Sequence, residues 1–276
     1  MRELGIEFIS VFGMPPVEFV ELAAELGCRN ISMGTQQSEF DPHGYPRYSI
    51  YDATQRRELK AALAANGVSI SLGENLLVQP GVDMREQWKT DLEAFSDLGV
   101  TRINSVTFEQ DFDRNVEQYG LLAETTAEFG VKALHEFVPI FGISDIPTAL
   151  DLVARVAHPN LGLIIDTMHV SRSGATADDL SNLPPELVGY IQLCDAPVID
   201  REWAFMDQDY MYEAMFERKV PGEGALPLAE YLAALPDDRI VSLEIPLRAE
   251  AEQGAGPRER LGRTVEAARK LLADIE

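Results

Sequence analysis

Apolar residues along the chain fall into two alternating rhythms. Stretches with the spacing of an amphipathic helix end in a small residue, and a short run rich in β-formers follows. Glu25-Leu26-Gly27-Cys28 leads into Asn30-Ile31-Ser32-Met33, and Ala65-Asn66-Gly67-Val68 leads into Ser69-Ile70-Ser71-Leu72. Asp97-Leu98-Gly99-Val100 precedes Arg102-Ile103-Asn104, and Glu128-Phe129-Gly130-Val131 precedes Ala133-Leu134-His135-Glu136. A glycine just past a helix takes the left-handed conformation at little cost, so its position marks each helix end. The rhythm continues without the glycine into Leu161–Asp166, Tyr190–Leu193 and Ile240–Glu244. With a first strand over Leu4–Ser10 this predicts eight strands. Helices are predicted near 15–27, 53–66, 84–98, 113–129, 145–157, 176–186, 226–235 and 257–275. A repeat of about 30–40 residues is one βα unit. Eight such units imply parallel pairing and right-handed crossovers. The chain length of 276 residues suits a closed (β/α)₈ barrel, for which about 250 is usual. The expected fold is therefore α/β, a (β/α)₈ TIM barrel in one domain over residues 1–276. No Gly-x-Gly-x-x-Gly follows the first strand and no Walker loop is present, which argues against an open nucleotide-binding sheet.

Charge narrows the partners. Forty-six acidic residues against 23 basic ones give a formal net charge of −23. Nucleic acid and anionic membrane surfaces are disfavoured partners for such a chain. Only two cysteines, Cys28 and Cys194, fit a reducing cytoplasm. The N-terminal residues enter a strand pattern at once and carry no apolar signal core. A cytoplasmic location is the expectation.

Four predicted strands break the apolar run expected of a buried parallel strand. They finish at Leu134-His135-Glu136-Phe137, at Ile164-Ile165-Asp166 with His169 three residues on, at Ile191-Gln192-Leu193, and at Leu243-Glu244-Ile245. In a closed barrel these ends are neighbours at the C-terminal mouth. Three carboxylates brought together in a low dielectric repel strongly, and a divalent cation relieves them. Glu136, Asp166, Gln192 and Glu244 form an all-oxygen set. It suits one divalent ion, Mn²⁺ or Mg²⁺ first, with Co²⁺ or Zn²⁺ as further candidates. Glu136 and Glu244 are the candidate proton-moving groups, because a carboxylate within reach of a substrate can act as a general base.

Other residues are weighed by position. His169, Glu74 and Asn104 lie at strand ends where they can meet substrate hydroxyls, and Glu7 shares that placement. Arg218 is a local cation able to hold a substrate anion, with Arg201 a weaker case. His135 alternates with Glu136 and should point outward. His158 precedes strand 6 at the opposite rim, His43 is on the correct face, and Cys194 reads as core. Two connections at the catalytic rim are long, residues 35–52 and 196–225. The second carries Trp203, Phe205, Met206, Tyr210, Met211, Tyr212, Met215 and Phe216, and reads as an extra rim helix, a lid or a homo-oligomer interface.

These strings, together with Gln192-Leu193-Cys194-Asp195-Ala196 and Arg218-Lys219-Val220-Pro221-Gly222-Glu223-Gly224, resemble those of the xylose isomerase-like TIM barrel family. The resemblance covers the whole chain. It is similar to the sugar-phosphate isomerase/epimerase group, and is related to hydroxypyruvate isomerases and to 3-dehydroshikimate and inosose dehydratases. The resemblance implies one metal on Glu136, Asp166, Gln192 and Glu244, with His169 and Arg218 reaching substrate. Gln192 stands where many ketose 3-epimerases have His, and the Asp-Ala-Pro run leans toward the dehydratases. The endonuclease branch with three zinc ions is set aside, since it needs many His ligands and this chain has 4. The expected function is a metal-dependent isomerase or epimerase acting on a small polyhydroxy carbonyl substrate through an enediolate. A dehydratase and a non-catalytic sugar-binding barrel are the alternatives.

Overall fold

The computed structural model describes residues 2–275. Strand and helix alternate as the hydrophobic rhythm predicts. Strands β1 (Leu4–Ile6), β2 (Asn30–Met33), β3 (Ser69–Gly73) and β4 (Arg102–Ser105) are followed by α1 (Pro16–Glu25), α2 (Ala53–Asn66), α3 (Arg85–Asp97) and α4 (Phe112–Glu128). Strand β5 (Lys132–Glu136) leads to α5 (Ile146–Val156), and β6 (Leu161–Asp166) leads to α6 (Thr167–Arg172) and α7 (Ala177–Ser181). Strand β7 (Val188–Leu193) leads to α8 (Gln208–Phe216) and α9 (Leu228–Ala234); β8 (Val241–Leu243) leads to α10 (Arg248–Glu252) and α11 (Pro257–Ile275). The strands close as a barrel in sequence order, all parallel, with β1 paired to β8. No described helix is long and apolar enough to cross a membrane.

Two cores follow from strand alternation. Leu72, Leu134, Ile164 and Tyr190, one each from β3, β5, β6 and β7, fill the barrel axis. A much larger core, including Trp88, Phe95, Tyr119 and Phe19, lies between the sheet and the helices. Leu134 and Glu136 share the inner face, as do Leu72 and Glu74, Ile164 and Asp166, and Tyr190 and Gln192. Each strand thus has an apolar residue on the axis and a polar one above it at the mouth.

Two expected elements are shorter than the pattern suggests. The first strand ends at Ile6 rather than Ser10, and residues Phe8–Val11 form a 3₁₀ turn. Its hydrogen bonds are diverted: Phe8 N–H donates to Ser32 Oγ (2.9 Å), and Ser10 Oγ donates to the Leu243 carbonyl (3.1 Å). The helix expected over 176–186 stops at Ser181, because Pro184-Pro185 cannot continue it.

Candidate active site

A cavity of about 280 Å³ opens at the C-terminal mouth of the barrel. Its floor carries Glu74, Asn104, Glu136, His169, Arg218 and Glu244, and each of these is buried. Asn104 on β4 ties two acids together, donating to Glu74 Oε2 at 3.0 Å and to Glu136 Oε2 at 2.6 Å. The other Glu136 oxygen lies 3.1 Å from His169 Nε2.

Strand β6 runs directly into α6, and this junction sets Asp166 and His169. Asp166 caps the helix, its Oδ1 accepting from the backbone N–H of Met168 (2.7 Å) and His169 (2.9 Å). The i+3 spacing then brings His169 over the mouth. Tyr210 of α8 completes a chain, with its hydroxyl 2.6 Å from His169 Nδ1. Tyr210 and Glu136 thus engage the two ring nitrogens of His169. Glu136, Asp166 and His169 offer ligand atoms that all lie within 4.8 Å of one another.

Arg218 is held by a loop built around Asp195. That carboxylate accepts from the backbone N–H of Ala196 (2.8 Å), Gly222 (2.9 Å), Gly224 (3.0 Å) and Leu226 (3.1 Å). Gly222 has φ +90°, and a Cβ on Gly224 would strike the Asp195 carboxylate, so both glycines are required by the turn. Antiparallel pairing of Asp195 with Lys219 aims the neighbouring Arg218 inward. Its Nη1 bonds Asp166 Oδ2 and lies 2.9 Å from Glu244 Oε2. The guanidinium therefore stands between two of the acids expected to hold a metal.

The floor is electrostatically uneven. Burial opposes the Asp166 charge, but Arg218 and His169 override it and hold the carboxyl well below its ordinary range. Burial pushes Glu244 well above the ordinary value, against the pull of Arg218 and with added repulsion from Glu136 and Asp166. Glu74 is raised by burial and by the charges of Glu7 and Glu136. Burial also raises Glu7, despite hydrogen bonds to Glu74, Ser242, Ser32 and Tyr190. Unused ligand atoms accompany this excess of acid. Both amide atoms of Gln192 are buried without a hydrogen-bond partner, and Glu244 Oε2 has none of good geometry. Buried polar atoms in this state are suited to a cation.

The expected residues divide as follows. Glu136, Asp166, Glu244, His169, Arg218, Glu74 and Asn104 converge. Gln192 lies beside Asp166 in the β6–β7 register, but it is fully enclosed and does not line the cavity. Among the His, Cys, Asp and Glu side chains of the described residues, Glu136, Asp166 and His169 form a close group, which makes His169 a further candidate ligand beside the four named from the sequence. His135 faces outward as expected, 2.6 Å from the Tyr119 hydroxyl. His158 accepts from the Asn160 N–H at the opposite rim. His43 and Arg201 do not line the cavity, and Arg201 lies over the Trp203 ring. Burial lifts the Cys194 thiol to about 12, which removes it as a nucleophile. Residues 196–225 contribute α8 to the cavity wall through Tyr210, Met211, Ala214 and Met215, so this stretch covers the site. Tyr210 as a partner of His169 and Asp195 as a loop anchor were not singled out from sequence. The Pro-Gly-Glu-Gly string was the available signal for the latter.

The model of the xylose isomerase-like TIM barrel family matches residues 20–271. The chain belongs to that family. Among curated relatives, a 3-dehydroshikimate dehydratase of Pseudomonas aeruginosa is 33% identical over 31% of this chain, a match spanning 12% of the relative's length. A D-psicose 3-epimerase of Ruminiclostridium cellulolyticum is 24% identical over 79% of this chain and 73% of its own. The crystal structure of the IOLI protein with a bound zinc atom superposes with TM-score 0.76 at 20% identity, over 100% of this chain and 98% of that one.

Proposed function

We propose that the protein is a divalent-metal-dependent isomerase or epimerase acting on a small hydroxy-carbonyl compound by α-proton transfer. The observation that carries this reading is Glu136. It sits at the cavity floor with its oxygens on His169 and Asn104, beside buried oxygens that have no partner. We assign the ion to Glu136, Asp166, Gln192 and Glu244, because both amide atoms of buried Gln192 lack a partner, Glu244 and Asp166 carry the charge beside it, and His169 is engaged at both nitrogens. The zinc atom in the IOLI protein supports a divalent ion, and the epimerase named among the relatives supports the reaction class. When bound, the ion supplies Lewis-acid polarisation of the substrate carbonyl, which acidifies the adjacent C–H.

The chain's own groups then divide the work. Glu136 or Glu244 takes the α-proton, one from each side of the mouth. Returning it to the opposite face epimerises the carbon, and returning it to the neighbouring carbon exchanges aldose and ketose. His169, fixed by Tyr210, moves a proton at a substrate oxygen. Arg218, already buried between Asp166 and Glu244, restrains the acids and meets a substrate oxygen or anion. Helix α8 closes the wall against water.

Dehydration is a second reading with its own observation. Glu74 lines the same cavity, and burial beside Glu7 favours its neutral form, an acid able to protonate a leaving hydroxyl. Both reactions begin with α-proton removal, so both incorporate solvent deuterium. The test is a panel of ketoses, hydroxypyruvate, inosose and dehydroshikimate in D₂O with Mn²⁺, Mg²⁺, Co²⁺ or Zn²⁺. Isomerisation keeps the molecular formula, whereas dehydration loses one water. Glu136→Gln is expected to lower exchange by about 10³-fold or more while the fold persists. An absence of exchange with every compound and metal would leave the binding-protein reading in place.

A further inference from the structure

The cavity has two chemically different halves. Its floor is the charged group described above. Its wall is formed by Leu77, Val106, Phe108, Phe141, Met211 and Met215, apolar side chains that are only partly covered and face the same space. Among the described lining residues away from the floor, Asn75 alone has a free polar side chain, since the Tyr210 hydroxyl is engaged by His169. The wall is preformed. Phe108 and Phe141 pack edge to face with centroids 4.8 Å apart. Their loops are locked where Gly142 meets the Glu109 carbonyl, at a distance no Cβ would tolerate.

We infer that the substrate is an α-hydroxy carbonyl compound whose far end is an apolar ring or branched alkyl group, not a fully hydroxylated sugar chain. This rests on the proposed α-proton chemistry and specifies its substrate class. With the hydroxy-carbonyl head on the charged floor, the rest of the molecule lies against the wall. Each hydroxyl placed there loses its water without gaining a partner, a penalty of about tenfold in affinity or more. An apolar group of the same size instead covers surface that otherwise faces solvent. The cavity volume of about 280 Å³ suits a compact molecule of a dozen or so heavy atoms.

The test compares benzyl hydroxymethyl ketone with D-fructose, two α-hydroxy ketones of similar size. Deuterium exchange at the hydroxymethyl carbon is measured with each metal and corrected for the uncatalysed rate. Binding of each compound to the same protein is measured by calorimetry at two temperatures. The expected result is at least about a tenfold preference for the benzyl compound in kcat/KM, with a negative heat-capacity change on binding. Met215→Gln, at a partly exposed wall position, and Phe108→Ser should each shrink that preference. Exchange that favours fructose overturns the inference and leaves the α-proton reading intact. Binding of the benzyl compound, weakened by Met215→Gln, without exchange of either compound upholds the wall and overturns the chemistry. Failure of the benzyl compound to bind overturns the inference.

Discussion

Adjacent residues of β5 meet opposite environments. Glu136 points to the mouth, while His135 is buried against Tyr119, and burial pushes its imidazole down to about 3. The folded protein keeps this ring neutral, whereas the unfolded chain protonates it near the ordinary value of 6.5. Between those values the unfolded state binds more protons, so stability falls as pH drops, by up to about 1.4 kcal/mol per pH unit. Asp166 has a depressed carboxyl, so its stabilisation is lost only as pH falls below its ordinary value of 3.8. The raised carboxyls of Glu7, Glu74 and Glu244 act oppositely, adding stability as pH falls, but they are shared by any His135 variant. Urea unfolding at pH 6.5 and 4.5 should therefore show a smaller loss in His135→Gln than in the parent protein. Equal losses would mean that His135 is not held neutral.

Helix α8 shows what a loop can hide. Its Tyr210 hydroxyl fixes the His169 ring, so Tyr210→Phe should lower kcat/KM for deuterium exchange about tenfold. It should also move the His169 ring signals in NMR spectra, with metal content unchanged in elemental analysis. A loss of metal instead would make the tyrosine a support for the ligands. The strands and most long helices were legible because burial imposes a period and each helix stop carries a glycine or turn residue. Glu136, Asp166, Gln192 and Glu244 were legible because a polar residue on a buried strand is itself an anomaly. Helices α6 and α10 were not, since each is under two turns and too short for periodicity. The first strand was overextended because alternation continues through Ser10, whereas the break comes from Ser32, distant in sequence. Tyr210 reaches His169 across 41 positions, and no local pattern encodes that contact.

At the scale of the whole barrel, the mouth gathers charge that the fold alone does not balance. Glu7, Glu74, Glu136, Asp166 and Glu244 are all buried, and Arg218 pairs with two of them, Asp166 and Glu244. Removing that cation leaves Asp166 and Glu244 uncompensated in a buried setting, where breaking a pair costs about 3–5 kcal/mol. Arg218→Met should therefore lower the Tm of metal-free protein markedly. On the proposed metal assignment, a divalent ion on the same acids would restore the balance, with a stabilisation that grows with occupancy, about 2.7 kcal/mol at a hundred times Kd. The repulsion relieved by the ion is larger when Arg218 is gone. The rise in Tm on adding Mn²⁺ should consequently be greater in Arg218→Met than in the parent, as measured by calorimetric scans at matched free metal. If the rise is equal or smaller, the ion and the guanidinium do not share Asp166 and Glu244, and the metal belongs on the Glu136, Asp166 and His169 group instead.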